Sequence, residues 1–219
     1  MQVDYVVHMG DDLSVVNAAR VSFDRVSSEF IDKDEKLIKY LADHKHWSPF
    51  AHPQLCIRVK APMFVARQLA KHQVGLVWNE VSRRYVDTDP EFFLPTQAYG
   101  WRERAENVKQ GSSDRKAYIT QAIHDEVAGT FQKAFRLYKS LLDSNVCPEQ
   151  ARMILPQATY TEWVWTGSLL AFSRVCNLRL DSHTQKETRN IAQMISSRVE
   201  PLFPISWKYL VGRVSTYIY

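Results

Sequence analysis

Glycine is scarce in this chain. Seven residues among 219 are glycine, less than half the usual share of about 7%. They stand apart at Gly10, Gly75, Gly100, Gly111, Gly129, Gly167 and Gly212. That spacing excludes a dinucleotide-binding G-x-G-x-x-G and a phosphate-cradling G-x-x-x-x-G-K. If the chain handles nucleotides, it does so without the usual glycine-rich loops. Cysteine is also sparse: Cys56, Cys147 and Cys176 are odd in number and lack paired spacing. They argue against a disulfide framework and for a reducing, cytoplasmic setting. No run of five basic residues occurs and the net charge is only +4, which argues against a nucleic-acid partner. No stretch of about 18 apolar residues exists, so no membrane span is expected. Residues 1–12 carry acids and no apolar h-region, unlike a signal peptide.

What is present describes a globular chain, with 45% hydrophobic, 24% charged and 12% aromatic residues. The length can bury a sizeable core. There is no internal repeat and no low-complexity segment. Hydrophobic periodicity predicts a strand over residues 3–8, a helix capped by Asp11 or Asp12, a polar loop over 24–34 and a helix over 35–44. A strand over 52–60 alternates Leu55, Ile57 and Val59 against Cys56 and Arg58. Residues 62–73 follow as a helix with proline at its first position, and 79–86 as a strand or extended loop. The polar tract 99–113 reads as a mobile surface excursion. A long helix is expected over 114–143, with a stripe of Ile119, Ile123, Val127, Phe131, Phe135, Tyr138 and Leu142. Further elements are a short helix over 148–155 stopped by Pro156, a strand over 160–165, and helices over 168–177 and 184–199. The last opens on one of two capping patterns, Ser182 with Gln185 or Thr184 with Glu187. Helices outnumber strands and the strands look non-sequential. An α+β fold is expected, with residues 1–219 as one domain around a central, mostly antiparallel sheet.

Four groups of residues could carry chemistry. On the helix over 62–73, Arg67, Gln68, Lys71 and His72 share one sector, either a solvated amphipathic face or a binding face. From Arg67 to Arg84 there are four basic residues and one acid, Glu80. Guanidinium forks there suit a small phosphorylated ligand better than a polyanion. In Asn79-Glu80-Val81-Ser82-Arg83-Arg84-Tyr85, an extended backbone would align Glu80, Ser82 and Arg84 on one face. They could grip a polar heterocycle and its phosphate, or be the solvated side of an edge strand. Ser82 lacks the G-x-S-x-G setting of a hydrolase nucleophile. His44, His46 and His52 match no zinc pattern, so no metal site is assigned. Finally, Arg152, Arg174, Arg179 and Arg189 recur among apolar residues and need acidic partners or a ligand anion.

These segments resemble the flavin-dependent thymidylate synthase family over most of the chain. The matching stretches are 12–14 through 18–23, His46-Trp47-Ser48-Pro49-Phe50-Ala51-His52, Lys60-Ala61-Pro62-Met63-Phe64-Val65-Ala66-Arg67-Gln68 and 79–85. They continue with 151–156, Tyr160-Thr161 and 177–183, with Gln185 and Glu187. The resemblance implies reductive methylation of dUMP to dTMP. Methylenetetrahydrofolate donates the carbon, FAD reduced by NADPH carries the hydride, and no cysteine nucleophile is used. It also implies a homotetramer with active sites at subunit interfaces. Carried onto this sequence, it assigns dUMP to Gln68, Glu80, Ser82, Arg83, Arg84, Arg152 and Arg179, with Arg179, Ser82 and Glu80 as catalytic residues. Arg84 and Arg152 would grip the phosphate, and Arg179 the uracil carbonyl. FAD falls to Ser48, Lys71, His72, Gln73, Glu80, Ser168, Arg174 and His183.

The chain also departs from the family pattern. The usual Arg-His-Arg, seven residues, then Ser is here Lys71-His72-Gln73, then eight residues before Ser82. Ala51 replaces a frequent acid, and Ser168 and Arg174 stand where asparagines are common. The changes fall on the flavin side, and Arg174 is expected to restore the charge missing at Gln73. Two other outcomes are a different one-carbon product, such as hydroxymethyl-dUMP, and a silent nucleotide-binding homologue.

Overall fold

The computed structural model describes residues 1–86, 88–95, 100–106 and 112–211. Six strands are present among them: β1 (Gln2–Met9), β2 (Gln54–Pro62), β3 (Leu76–Glu80), β4 (Arg102–Arg104), β5 (Ser112–Lys116) and β6 (Tyr160–Ser168). The helices are α1 (Asp12–Arg20), α2 (Asp32–Asp43), α3 (Met63–Leu69), α4 (Gln121–Asp143), α5 (Pro148–Ala151), α6 (Leu169–Arg179), α7 (Lys186–Val199) and α8 (Pro204–Leu210). The fold is α+β. Its sheet runs β1-β2-β6-β3 with every neighbouring pair antiparallel, and β4 and β5 form a separate two-stranded ribbon.

The period-two pattern of β2 sets the core. Leu55, Ile57, Val59 and Ala61 are buried, as are Trp163 and Trp165 on β6. They meet Val15, Ile38, Leu169, Phe172, Ile191 and Ile195 from the helices. Each such large side chain stabilises the fold by about 1.5–3 kcal/mol. The opposite face is solvent-facing and mixed: Arg58 pairs with Glu162 across the two strands, beside exposed Val7, Val77 and Val164. On β3, Trp78 stacks on Trp163 with centroids 4.1 Å apart. One close approach demands glycine. A Cβ at Gly167 would lie 2.6 Å from the carbonyl oxygen of Gly75, where β6 passes the start of β3.

Several elements differ from the sequence expectation. Of the two candidate caps of α1, Asp11 is the one used, its carboxylate accepting from Ser14 N at 2.8 Å. Asp12 is buried and accepts from the backbone of Ile205 and Ser206 at the start of α8, a helix with too short an apolar pattern to be foreseen. The helix expected over 62–73 is α3 alone, because Pro62 is still paired with Tyr160 in the sheet. The expected helix over 114–143 begins only at Gln121. Residues 112–116 pair with 102–104 instead, and Thr120 caps α4 through Ile123 N. The tract 99–113 is therefore partly a ribbon, while Tyr99 and residues 107–111 lie outside the described residues. The short helix over 148–155 divides into α5 and a 3-10 turn at Arg152–Ile154. The strand over 160–165 continues to Ser168, and α6 extends to Arg179.

Among the described residues, no helix is long and apolar enough to cross a membrane.

Candidate active site

The centre of the site is built where α3, α6 and α7 meet. Pro62 ends β2 in an extended conformation, with φ −66° and ψ 151°. The first free amides of α3 are satisfied across the chain: Met63 N donates to Thr159 O at 2.9 Å and Phe64 N to Gln157 O at 3.2 Å. Val65, Ala66 and Leu69 then face the core. That rotation leaves Arg67 exposed and turns Gln68 towards α7. The chain reverses after Leu69, so Lys71 and His72 belong to a turn and not to the helix. Gly75 completes the reversal with φ +75°, a conformation open to glycine at little cost.

Arg179, the last residue of α6, closes this turn. Its Nε donates to His72 Nε2 at 2.9 Å, and its Nη2 donates to the Gln68 carbonyl at 3.3 Å. A cation at the free carbonyls of a helix end is electrostatically favourable. The geometry requires a neutral His72 with Nε2 unprotonated, leaving the ring proton on Nδ1. Burial, and then the adjacent Arg179 charge, pull the His72 pKa down to about 4. Burial also lowers that of Arg179.

The Gln68 side chain enters a second network. Its Nε2 donates to Gln185 Oε1, and its Oε1 accepts from Thr188 Oγ1 at 3.1 Å. Gln185 Nε2 donates to Glu187 Oε2 at 3.0 Å. Arg102 grips the Glu187 carboxylate with two parallel bonds of 2.7 and 2.8 Å, a strong and directional geometry. Burial opposes ionisation of Glu187. The Arg102 fork and neighbouring hydrogen bonds outweigh it and hold the carboxyl below its ordinary range. Neither capping pattern expected before α7 forms, because Gln185 occupies the cap position and turns its side chain to Gln68 and Glu187.

The alignment of Glu80, Ser82 and Arg84 on one extended face does not occur. Glu80 ends β3, where its carboxylate accepts from Thr161 Oγ1 at 2.6 Å and Trp78 Nε1 at 3.2 Å. Beyond it, the Ser82 carbonyl accepts from Tyr85 N and Val86 N, coiling the chain into one turn. Ser82 Oγ accepts from Arg84 N at 3.3 Å. Arg83 donates to the Thr88 carbonyl at 2.7 Å. Arg84 lies over the Tyr85 ring and reaches Glu149 of α5 at 3.5 Å. That contact sets the 82–85 turn beside the segment carrying Arg152, an exposed residue.

The residues expected towards the flavin are less tied. Lys71, Gln73 and Arg174 are exposed, and among the described residues neither Lys71 nor Arg174 has an acidic partner. Unpaired cations of this kind fit the diphosphate of FAD. Ser48 is exposed and opens a 3-10 turn whose Pro49 and Phe50 are buried against α1 and α6. Ser168 is buried, and its hydroxyl caps α6 by accepting from Ala171 N at 3.2 Å. His183 is exposed; its backbone N–H and ring both bond Asp181, and they hold that carboxyl below its usual range. Among the described residues, no three His, Cys, Asp or Glu side chains gather as for a metal ion.

The amino-acid sequence pointed to Gln185 and Glu187 only as alternative capping residues and to Thr161 without a role, and did not reveal Arg102, Thr188 or Glu149. Gln185, Glu187 and Thr161 lie within or beside the matching stretches. Nothing in the local sequence marks Arg102.

The sequence model of the Thy1 family, described as thymidylate synthase complementing protein, matches residues 4–205. The flavin-dependent thymidylate synthase of Thermosipho africanus is 35% identical over 189 residues, 86% of this chain and 81% of that protein. That of Thermus thermophilus is 37% identical over 205 residues, 94% and 73% respectively. Among solved structures, a UMP/dUMP methylase, PolB from Streptomyces cacaoi bound with 5-Br dUMP, superposes with a TM-score of 0.85. It is 30% identical, and the match covers 98% of this chain and 97% of that one. The chain belongs to the flavin-dependent thymidylate synthase family.

Proposed function

We propose that this chain methylates C5 of dUMP reductively to dTMP, with methylenetetrahydrofolate as carbon donor and FAD reduced by NADPH as hydride carrier. The observation that carries this reading is the half-buried cluster in which Gln68 and Arg179, from two separate matching stretches, meet around His72 of the intervening turn. Arg179 is held through Nε and Nη2, and its remaining N–H groups, without partners among the described residues, are available to meet the pyrimidine. There it contacts a uracil carbonyl and stabilises negative charge developing on the ring. Arg84 and Arg152 converge from neighbouring segments to bind the phosphate. Ser82, in its tight turn, orients the nucleotide and does not attack it, while Arg83 steadies that turn. Glu80, fixed by Thr161 and Trp78, borders both ligands. On the flavin side, Lys71, His72, Gln73 and Arg174 hold the cofactor, with Ser48, Ser168 and His183 around it. FAD, when bound, supplies the redox chemistry, and the protein supplies binding and orientation.

Residues 1–219 act as one unit in a cytoplasmic homotetramer whose sites lie at subunit interfaces. Support comes from the apolar surface that one copy leaves open, including Ile123 and Leu137 on α4 and Tyr5, Val7 and Met9 on β1.

One observation favours a second reading, in which the same site also accepts UMP. The PolB relative is described as a UMP/dUMP methylase, and it has also been solved with 5-Br UMP, at a TM-score of 0.81 and 28% identity. One experiment tests both readings. The protein is incubated with FAD, NADPH, methylenetetrahydrofolate and either dUMP or UMP, and the nucleotide is weighed by mass spectrometry. Thymidylate is the expected product from dUMP. A hydroxymethylated product or unchanged dUMP overturns the main reading, and unchanged UMP overturns the second.

A further inference from the structure

The chain of hydrogen bonds running from Gln68 to the β4–β5 ribbon has a direction. A carboxylate can only accept. Glu187 therefore fixes the Gln185 amide with its NH2 towards the carboxylate and its oxygen towards Gln68. Gln185 Oε1 can in turn only accept, so Gln68 must present Nε2 to it. The Gln68 oxygen then faces the Thr188 hydroxyl, as observed. An isolated glutamine amide can turn over and exchange its donor and acceptor ends. Here both ends are held, leaving one N–H and one oxygen lone pair of Gln68 with a fixed polarity.

The anchor of this chain is well buried. Side-chain exposure is 11% for Arg102 and 6% for Glu187, and Thr188 is fully buried. A fork buried to this degree is costly to place in a folded protein. It ties the ribbon to the first turn of α7, directly behind a residue assigned to the substrate.

We infer that Gln185, Glu187 and Thr188 are positioning residues that fix the amide polarity of Gln68, with Arg102 of the β4–β5 ribbon anchoring the Glu187 carboxylate. The inference rests on the reading of Gln68 as a dUMP contact. It assigns a function to two residues of the matching stretches and to a ribbon that otherwise has none. It also makes the affinity for the nucleotide depend on the ribbon, which need not touch it.

The test is a double-mutant cycle on the FAD-loaded enzyme, reading KM and kcat with dUMP. Gln185→Met keeps the side-chain length, removes both hydrogen bonds and leaves the buried ion pair intact. It is expected to raise the dUMP KM five- to tenfold and to change kcat less than twofold. Glu187→Gln, whose amide can present either end, is expected to act in the same direction. Gln68→Ala should raise KM by itself, and adding Gln185→Met to it should change KM no further. If Gln185→Met raises KM equally in both backgrounds, its effect is structural and the positioning role falls while the assignment of Gln68 stands. If Gln68→Ala leaves KM unchanged, the assignment of Gln68 falls and the positioning role falls with it. Should Gln185→Met not yield folded holoenzyme, Thr188→Val carries the same cycle from the other end of the amide. It removes one hydroxyl at nearly constant volume, with the same outcomes deciding.

Discussion

The two sides of the candidate site differ in how far the chain has already committed its side chains. On the inner side, Gln68, His72, Arg179, Gln185, Glu187, Thr188 and Arg102 join end to end through hydrogen bonds, and most are half-buried or buried. On the outer side, Lys71, Gln73, Arg152 and Arg174 point into solvent. The inner network orients its donors before any ligand arrives, which is the condition for stabilising charge that develops only during reaction. The outer cations are suited to attraction and not to orientation, since exposed charges act weakly and are screened by salt. Loss of Arg179 on the inner side should therefore change turnover and loss of a Gln68 anchor the nucleotide affinity, whereas loss of one exposed flavin-side cation should change affinity by small factors.

The sharpest break in that comparison is Arg179→Ala. It removes the donor proposed to meet the pyrimidine and leaves His72 Nε2 without its partner. The expected loss in kcat is about 10²–10³-fold, the scale for a preorganised charge-stabilising donor, with cooperative thermal unfolding retained. Arg84→Ala comes next. Arg84 is exposed and only loosely paired with Glu149, so its role is read in affinity. Loss of one charge-assisted phosphate contact corresponds to a rise in dUMP KM of roughly ten- to a hundredfold, enough to abolish turnover at low substrate. Steady-state kinetics on each variant separate the two effects. Near-normal activity in either one removes that residue from the site.

A pH titration probes the inner side without disturbing the outer one. The pKa of His72 is lowered from the usual 6.5 to about 4 in the folded protein, by burial first and by Arg179 second. Between these values the unfolded chain takes up a proton that the folded site refuses. Linkage then makes the folded state lose stability as pH falls from about 6.5 towards 4, with no further loss from this group below that window. Denaturant unfolding at several pH values should show this slope in the wild type. It should be diminished in His72→Asn, which cannot titrate but can still accept from Arg179. Equal slopes in the two proteins would show that His72 is not held neutral by the inner network.

The same contrast explains what could be read from the amino-acid sequence. β2 was legible because Leu55, Ile57 and Val59 alternate with polar residues, and a period of two is a local signal. α7 was legible in extent, ending at Val199 as expected, although neither expected capping pattern forms. The β4–β5 ribbon was not, since Arg102-Glu103-Arg104 and Ser113-Asp114-Arg115-Lys116 carry charge without apolar alternation. Its pairing is stabilised by ion pairs such as Arg115 with Glu103. The false alignment of Ser82 and Arg84 with Glu80 arose because a strand that ends in a turn looks locally like a longer strand. At the site, residue types in matching stretches pointed to Gln68 and Arg179. The polarity relay did not show, because Gln68 and Gln185 lie 117 residues apart. Only the fold brings them together.

The outer side offers the smallest effect and a direct check on how its missing charge is replaced. By the resemblance in sequence, Gln73 takes the place of an arginine in the family pattern, in a loop one residue longer than that pattern. That loop lies against α6: a Cβ at Gly75 would stand 3.2 Å from Ala171 Cβ and 3.5 Å from Ser168 Oγ. Arg174 sits three residues beyond Ala171, a spacing that brings side chains to neighbouring positions on a helix. The positive charge lost at Gln73 can therefore be supplied from α6 across the same loop. Arg174→Ala is expected to weaken FAD binding about two- to fivefold, the range of an exposed charge interaction, as read from fluorescence titration of the apoprotein. Adding Gln73→Arg to that variant should recover the affinity. Equal affinity in wild type and Arg174→Ala would count decisively against compensation. Weakened affinity without recovery by Gln73→Arg would mean that Arg174 meets the cofactor at a different point from the family's arginine.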